Sequence, residues 1–258
     1  MGTQWTNRKR DTGWGTNKGV VIAVAEAQGR VDRLMNRSAV FYGIRLLVQR
    51  LLGLFLFLVG SGFAADYHSW VYFGTGLAIA LLGWAYIYRI NPDVLAQRGK
   101  VVTDSPVWDK WLLGLYWLLH FFIIHLVAGL EFGERPLMEN AFWAGMAFVW
   151  ASSGLALAAL RVNPFLESTA RLQGERGQFV VQAGVYGVVR HPTYAAVLLS
   201  CFGVCLVFQT KWVLVLAILI AALIVVRTSL EDRMLMEKLP GYSTYAQKVR
   251  YRLIPFVW

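Results

Sequence analysis

The sequence predicts an all-α, polytopic membrane protein. Three observations carry that prediction. Of 258 residues, 57% are apolar and only 16% charged, against roughly 25% charged in a soluble domain. The apolar residues are gathered into runs of helix length. The basic residues lie between those runs rather than within them. Such a chain cannot cover itself with polar surface as one soluble domain.

The elements follow in order. Residues 1–38 form a basic, polar tail, with no apolar core and cleavage site of a signal peptide. The stretch Thr12–Gly19 is expected to lack regular structure, and residues 20–37 to form a short surface helix. Four spanning helices are expected next, over about 39–63, 70–88, 111–130 and 141–160. Each approaches the roughly 20 residues needed to cross about 30 Å of hydrocarbon. Trp70, Trp111 and Trp143 stand at segment ends as interfacial anchors. Arg45, Gln49 and Arg50 interrupt the first run, so its crossing part is expected to begin near Arg50, with the arginine stems reaching to the interface.

The last apolar stretch is different. Residues 194–208 and 212–226 are separated by Gln209, Thr210 and Lys211. Three polar residues in succession are costly at mid-membrane. The pair therefore reads as a short helical hairpin, the fifth and sixth segments of about six. Three regions result: the tail 1–38, a four-helix region 39–162, and a C-terminal catalytic region 163–258.

Charge fixes the expected orientation. Of the 25 Lys and Arg residues, only Arg135 and Lys211 fall on the outer side, while Arg45 and Arg50 lie inside the first segment. This positive-inside bias places both termini in the cytoplasm. The net charge of +10 is then explained by topology and anionic lipid headgroups, and no nucleic-acid partner is expected. The outer loops are short, so the chemistry is expected at the cytoplasmic membrane face.

Metal and nucleophile patterns are absent. The four histidines form no HExxH pattern, and no nucleophile elbow, P-loop or dinucleotide fingerprint occurs. Cys201 and Cys205 lie four apart in an apolar run and read as small hydrophobes. His120 and His125 read as histidines satisfied by hydrogen bonds between helices. No metal is expected.

Three polar clusters flank the hairpin. The first is Tyr186 to Tyr194, where Pro192 suits the first turn of a helix. Arg190 and His191 then stand at a helix N-terminus, which favours an anion. The second is Glu231 and Asp232, which a closed hairpin returns to the same membrane face. The third holds Tyr242 and Tyr245, then Lys248, Arg250 and Arg252. Aromatic faces suit a cationic centre or an adenine ring, and the basic run suits a headgroup or carboxylate.

These clusters carry a resemblance. Gly184-x-Tyr186, Arg190-His191-Pro192-Thr193-Tyr194, a hairpin, Glu231-Asp232, Gly241-Tyr242-x-x-Tyr245 and Arg252-Leu253-Ile254-Pro255 occur in the order seen in the isoprenylcysteine carboxyl methyltransferases and the related phospholipid methyltransferases. The match covers about residues 179–256. Asn91-Pro92-Asp93-Val94-Leu95 is similar to a further stretch of that family. The resemblance implies S-adenosylmethionine as cofactor, lined by Tyr186, Arg190, His191, Tyr194, Glu231, Tyr242 and Tyr245. It implies Arg190 and Glu231 as the catalytic pair. Lys248, Arg250 and Arg252 would fix an anionic substrate, and a lipophilic or small acceptor would enter from the bilayer. A carboxylate, thiol or amine could take the methyl group, with an isoprenylcysteine-type carboxylate as the leading acceptor. Asp232 stands where the family often has a second Glu and is one methylene shorter, so the resemblance puts more weight on Glu231; Ala195, where Gly is frequent, would narrow the opening. A transporter or a non-catalytic membrane scaffold is the competing reading.

Overall fold

The computed structural model describes residues 16–100 and 104–258, with side chains from Arg37 onward. All its regular elements are helical. Among the described residues, five helices are long and apolar enough to cross a membrane, and a shorter apolar helix accompanies them.

Helix α1 runs unbroken from Thr16 to Gly60. It joins the expected surface helix and the first span into one element, because no proline stands before Pro92 to end it. Of the stretch expected to lack structure, residues 16–19 form the first turn of α1, and residues 12–15 lie outside the described residues. The apolar part of α1 is Arg37–Gly60, so Arg50 lies well inside the span rather than at its start.

Helix α2 (Tyr67–Ile90) starts at Asp66, whose carboxylate accepts the Ser69 N–H at 2.9 Å. Pro92 then opens the short α3 (Pro92–Gly99). Val94, Leu95 and Ala96 of α3 are buried against Ala39 and Tyr42 of α1. Gly99 sits so close to α1 that a Cβ there would lie 2.1 Å from the Ser38 carbonyl oxygen. The third span comprises α4 (Val107–Leu118), a π-helical turn (Leu119–Ile123) and α5 (Ile124–Leu130).

Helices α6 (Glu139–Val162) and α7 (Pro192–Phe208) cross where Gly145 meets Gly203. A Cβ at Gly145 would lie 2.6 Å from the Gly203 carbonyl. Small residues let membrane helices approach this closely, and packing and interhelical hydrogen bonds replace the hydrophobic drive that lipid does not supply. Ser152 accordingly donates across this interface to the Ala196 carbonyl at 2.7 Å.

The chain breaks after α7 as its polar triplet predicts. Gln209 adopts the left-handed conformation, and α8 (Lys211–Lys238) begins two residues later. The carboxylate of Glu131 receives the Trp212 N–H at 3.2 Å, a negative charge on a helix N-terminus. Helix α8 runs back along α7 and continues about three turns beyond its apolar part, as far as Lys238. Glu231 and Asp232 therefore stand on a rigid helix and not on a loop. Helix α9 (Tyr242–Lys248) follows.

The outer surface of the bundle is apolar. Leu82, Trp111 and Ile218 are exposed, as lipid-facing residues would be. The centre is filled by Phe57, Phe142, Phe208 and Ile220, all essentially buried.

Candidate functional site

The loop between α6 and α7 and the tail after α8 close over one end of the bundle. Asn163 begins that loop. Its side-chain oxygen accepts the Phe165 N–H at 2.9 Å, and its amide donates to the Tyr186 hydroxyl at 2.9 Å. Arg171 pairs with Glu167 at 2.9 Å and with Glu175 at 2.7 Å. From the other side the C-terminal tail is held by backbone hydrogen bonds. The N–H of Arg190 donates to Tyr251 at 2.9 Å, and that of His191 to Arg252 at 3.0 Å.

Asp232 is the centre of the polar structure. It is 2% exposed. Arg190 grips it with two N–H groups, Nε to Oδ1 and Nη2 to Oδ2, both at 2.9 Å. The Tyr242 hydroxyl donates to Oδ1 at 2.8 Å, and Arg252 Nε donates to Oδ2 at 2.8 Å. His191 Nε2 lies 3.1 Å from Oδ1. A carboxylate has about four acceptor positions, so this one is saturated. A buried charge demands such pairing.

Arg190 is equally committed. Its remaining Nη1 faces the carbonyls of Val249 at 3.0 Å, Arg250 at 3.2 Å and Ala246 at 3.4 Å. The guanidinium ties α7, α8 and the C-terminal tail together, with most of its five N–H groups spent on the chain itself.

Glu231 has a different setting. Its carboxylate takes the hydroxyl hydrogen bond of Tyr194. Adjacent residues on a helix point about 100° apart, so Glu231 and Asp232 serve different spaces. Glu231 lines a polar cavity of about 110 Å³ together with Tyr186, His191, Tyr194, Tyr242 and Tyr245. The rings of His191 and Tyr194 are parallel, 5.7 Å apart. The Arg227 guanidinium lies over the Tyr194 ring at 5.2 Å and is itself held by Asp109 at 2.8 Å. The Tyr245 hydroxyl donates to the Tyr186 carbonyl at 2.7 Å. Burial pushes its phenol up to about 12, so it stays a donor at neutral pH.

The polar cavity does not stand alone. Thr193 and Tyr194 also line a middle cavity of about 190 Å³. Thr193 lines in addition an inner cavity of about 250 Å³, which lies between α1, α2, α4, α6 and α7. The first turn of α7 is thus a shared wall between a polar space and an apolar one.

The sequence-derived site residues fall into three groups. Tyr186, His191, Tyr194, Glu231, Tyr242 and Tyr245 meet around one cavity. Arg190 touches that cavity but spends its donors on Asp232 and backbone carbonyls. Arg252 reaches Asp232, whereas Lys248 and Arg250 are exposed and outside the polar cavity's lining. Three contributors escaped the sequence reading: the hub role of Asp232, Asn163 on Tyr186, and the pair Asp109–Arg227 behind Tyr194. Glu167, Arg171 and Glu175 stand four apart, but their segment is not an α-helix, so helical spacing did not announce their pairing. Among the described residues, no group of His, Cys, Asp or Glu is arranged to hold a metal ion.

No curated protein matches the chain. A family model does: residues 140–241 match the phospholipid methyltransferase family, from α6 through Gly241. That segment contains the loop of Asn163 and Tyr186, the first turn of α7 and the acidic pair of α8. With its apolar spanning helices, the protein is an integral-membrane methyltransferase related to the phospholipid methyltransferases.

Proposed function

We propose that S-adenosylmethionine binds in the polar cavity at the cytoplasmic membrane face, and that its methyl group passes beside Thr193 and Tyr194 to an acceptor held in the apolar cavities. In this topology α7 and α8 cross as a hairpin, giving six segments with both termini cytoplasmic. Residues 163–258 form the catalytic region. One observation carries the reading: a carboxylate-and-tyrosine cavity and an apolar cavity inside the bundle share the same helical turn.

The residues suit such a cofactor. Tyr186, Tyr242 and Tyr245 offer aromatic faces, and Glu231 offers a carboxylate for an ammonium or ribose hydroxyl. The polar cavity is smaller than the roughly 300–1,000 Å³ of typical ligand sites. A nucleoside with an amino-acid tail would extend past Tyr194 into the middle cavity.

The bound sulfonium supplies an already activated methyl group. Glu231 and the tyrosines would hold it with that methyl group toward a nucleophile beside Thr193 and Tyr194. The protein's part is to hold the two in line and keep water out, which can supply several kcal/mol of the barrier. Tyr194, fixed between the His191 ring and the Arg227 guanidinium, is the rigid edge of the transfer point. Glu231 orients Tyr194 and the cofactor, and would take the proton from an amine acceptor. Arg190 acts as a positioning residue: through Asp232 and the tail carbonyls it holds α9 over the cavity. Arg252 shares that role, which leaves Lys248 and Arg250 for contact with lipid headgroups. Carboxylates, thiols and amines are the acceptor groups to assay, and the shape of the inner cavity decides among the molecules that carry them.

The test is calorimetric titration of purified protein in lipid nanodiscs with S-adenosylhomocysteine. Saturable binding that Glu231→Gln weakens at least tenfold is the expected result. Absence of binding in folded protein would overturn the reading.

A further inference from the structure

The inner cavity contains charge that the reaction above does not use. Arg50 stands on the cavity wall. It is half-way along the apolar part of α1, eight residues and about 12 Å along the helix from Tyr42, which lines the same cavity. Its Nε is buried with no hydrogen-bond partner. Among the described residues it makes no ion pair, and no Asp or Glu lines the cavity. Its guanidinium lies 5.7 Å from the centroid of the Phe121 ring.

His120 lines the same cavity, and its Nδ1 is likewise buried without a partner. It belongs to the π-helical turn Leu119–Ile123, a local irregularity that often marks a functional position. Neighbouring polar groups are satisfied by contrast. His125 Nε2 is 3.1 Å from the Tyr72 hydroxyl, and its Nδ1 is 2.9 Å from the Phe121 carbonyl. The imbalance is therefore confined to Arg50 and His120.

An arginine inside the hydrocarbon is costly unless an opposite charge or polar contact meets it, and such residues typically mark ligand paths. The stem cannot reach the interface while its guanidinium lies beside Phe121 in mid-span. The rest of the wall, toward Thr193, is largely apolar, with Ile79, Ile87, Leu95 and Leu160.

We infer that the inner cavity binds a single-chain amphiphilic acid, with its anionic group deep in the bundle on Arg50 and His120 and its chain directed toward Thr193. The inference rests on the proposed methyltransferase reading for one point only, that the chain's other end reaches the methyl group. It narrows the acceptor class. A two-chain phospholipid exceeds about 250 Å³, and a prenyl chain ending in hydrocarbon would leave the Arg50 charge unmet. The acceptor is instead a compact molecule with an acid at one end and the nucleophile at the other. A charge-assisted hydrogen bond contributes more than a neutral one, so the acid carries most of the selectivity.

The experiment is photolabelling of the full chain in nanodiscs with a medium-chain carboxylic acid bearing a diazirine, beside the alcohol of the same length. The acid is expected to label peptides of α1 and α7 in the wild type, in competition with the unlabelled acid. Arg50→Gln should lose roughly tenfold or more of that labelling, the scale of one lost charged hydrogen bond. Arg50→Lys should retain much of it, and the alcohol should label both proteins weakly and alike. Equal labelling by acid and alcohol, competition by chloride alone, or full acid labelling of Arg50→Gln would overturn the inference. S-adenosylhomocysteine binding, measured on the same samples, reports folding of each variant. If that ligand fails on wild type while acid labelling still depends on Arg50, the cofactor reading fails and the acid site stands.

Discussion

Two arginines on either side of the first turn of α7 are placed in opposite circumstances. Arg190 is 9% exposed and meets Asp232 bidentately, with three backbone carbonyls on its remaining nitrogen. Arg50 lies within an apolar span, with a partnerless Nε and no carboxylate on the cavity wall. The comparison separates two uses of a buried charge. A charge whose partners all come from the chain holds the fold in one geometry. A charge the chain leaves unmet is fitted for a partner from outside. A guanidinium next to a candidate site is therefore not a ligand-binding group by position alone; its donors must be counted.

The largest effect expected from breaking this contrast is at Asp232. Asp232→Ala strands Arg190 and Arg252 and should cost about 3–5 kcal/mol, the range for removing one partner of a buried pair. Thermal unfolding in detergent should show a markedly less stable protein that no longer binds S-adenosylhomocysteine. Glu231→Gln comes next. It should abolish most turnover while leaving the melting temperature close to wild type, because Asp232 and not Glu231 holds the tail. Thr193→Leu should then slow methyl transfer several-fold by filling the shared wall, measured as the rate at saturating cofactor. Tyr245→Phe removes one neutral hydrogen bond to the Tyr186 carbonyl and should cost about 1 kcal/mol, seen as a modest drop in melting temperature. Lys248→Ala, on an exposed residue, should be the smallest, with unfolding and cofactor affinity near wild type. A large effect there would return the basic tail to the binding machinery.

The helices were legible in the sequence because a membrane demands long apolar runs, and the break at Gln209 because three polar residues cannot lie in hydrocarbon. The continuity of α1 was legible too, in the absence of any proline before Pro92, yet the basic composition of its first half argued for a separate piece. The tyrosines and Glu231 around the polar cavity could be named from their order along the chain. Their division of labour could not. Asp232 was discounted because its side chain is one methylene shorter than Glu, but its role follows from the direction it takes on α8. That direction depends on how α8 packs against α7 and the tail. Arg50 was read as reaching to the interface, a sound expectation for an isolated helix. The inner cavity that receives it exists only when several spans are assembled, and no local pattern records it.

The most direct test sets the two regions side by side: the affinity of S-adenosylhomocysteine for wild type, Glu231→Gln and Arg50→Gln in nanodiscs. The account predicts that Glu231→Gln loses at least tenfold and Arg50→Gln keeps wild-type affinity, since its cavity belongs to the acceptor. Wild-type affinity in Glu231→Gln, or equal loss in both variants, would contradict the division of the molecule into a cofactor side and an acceptor side.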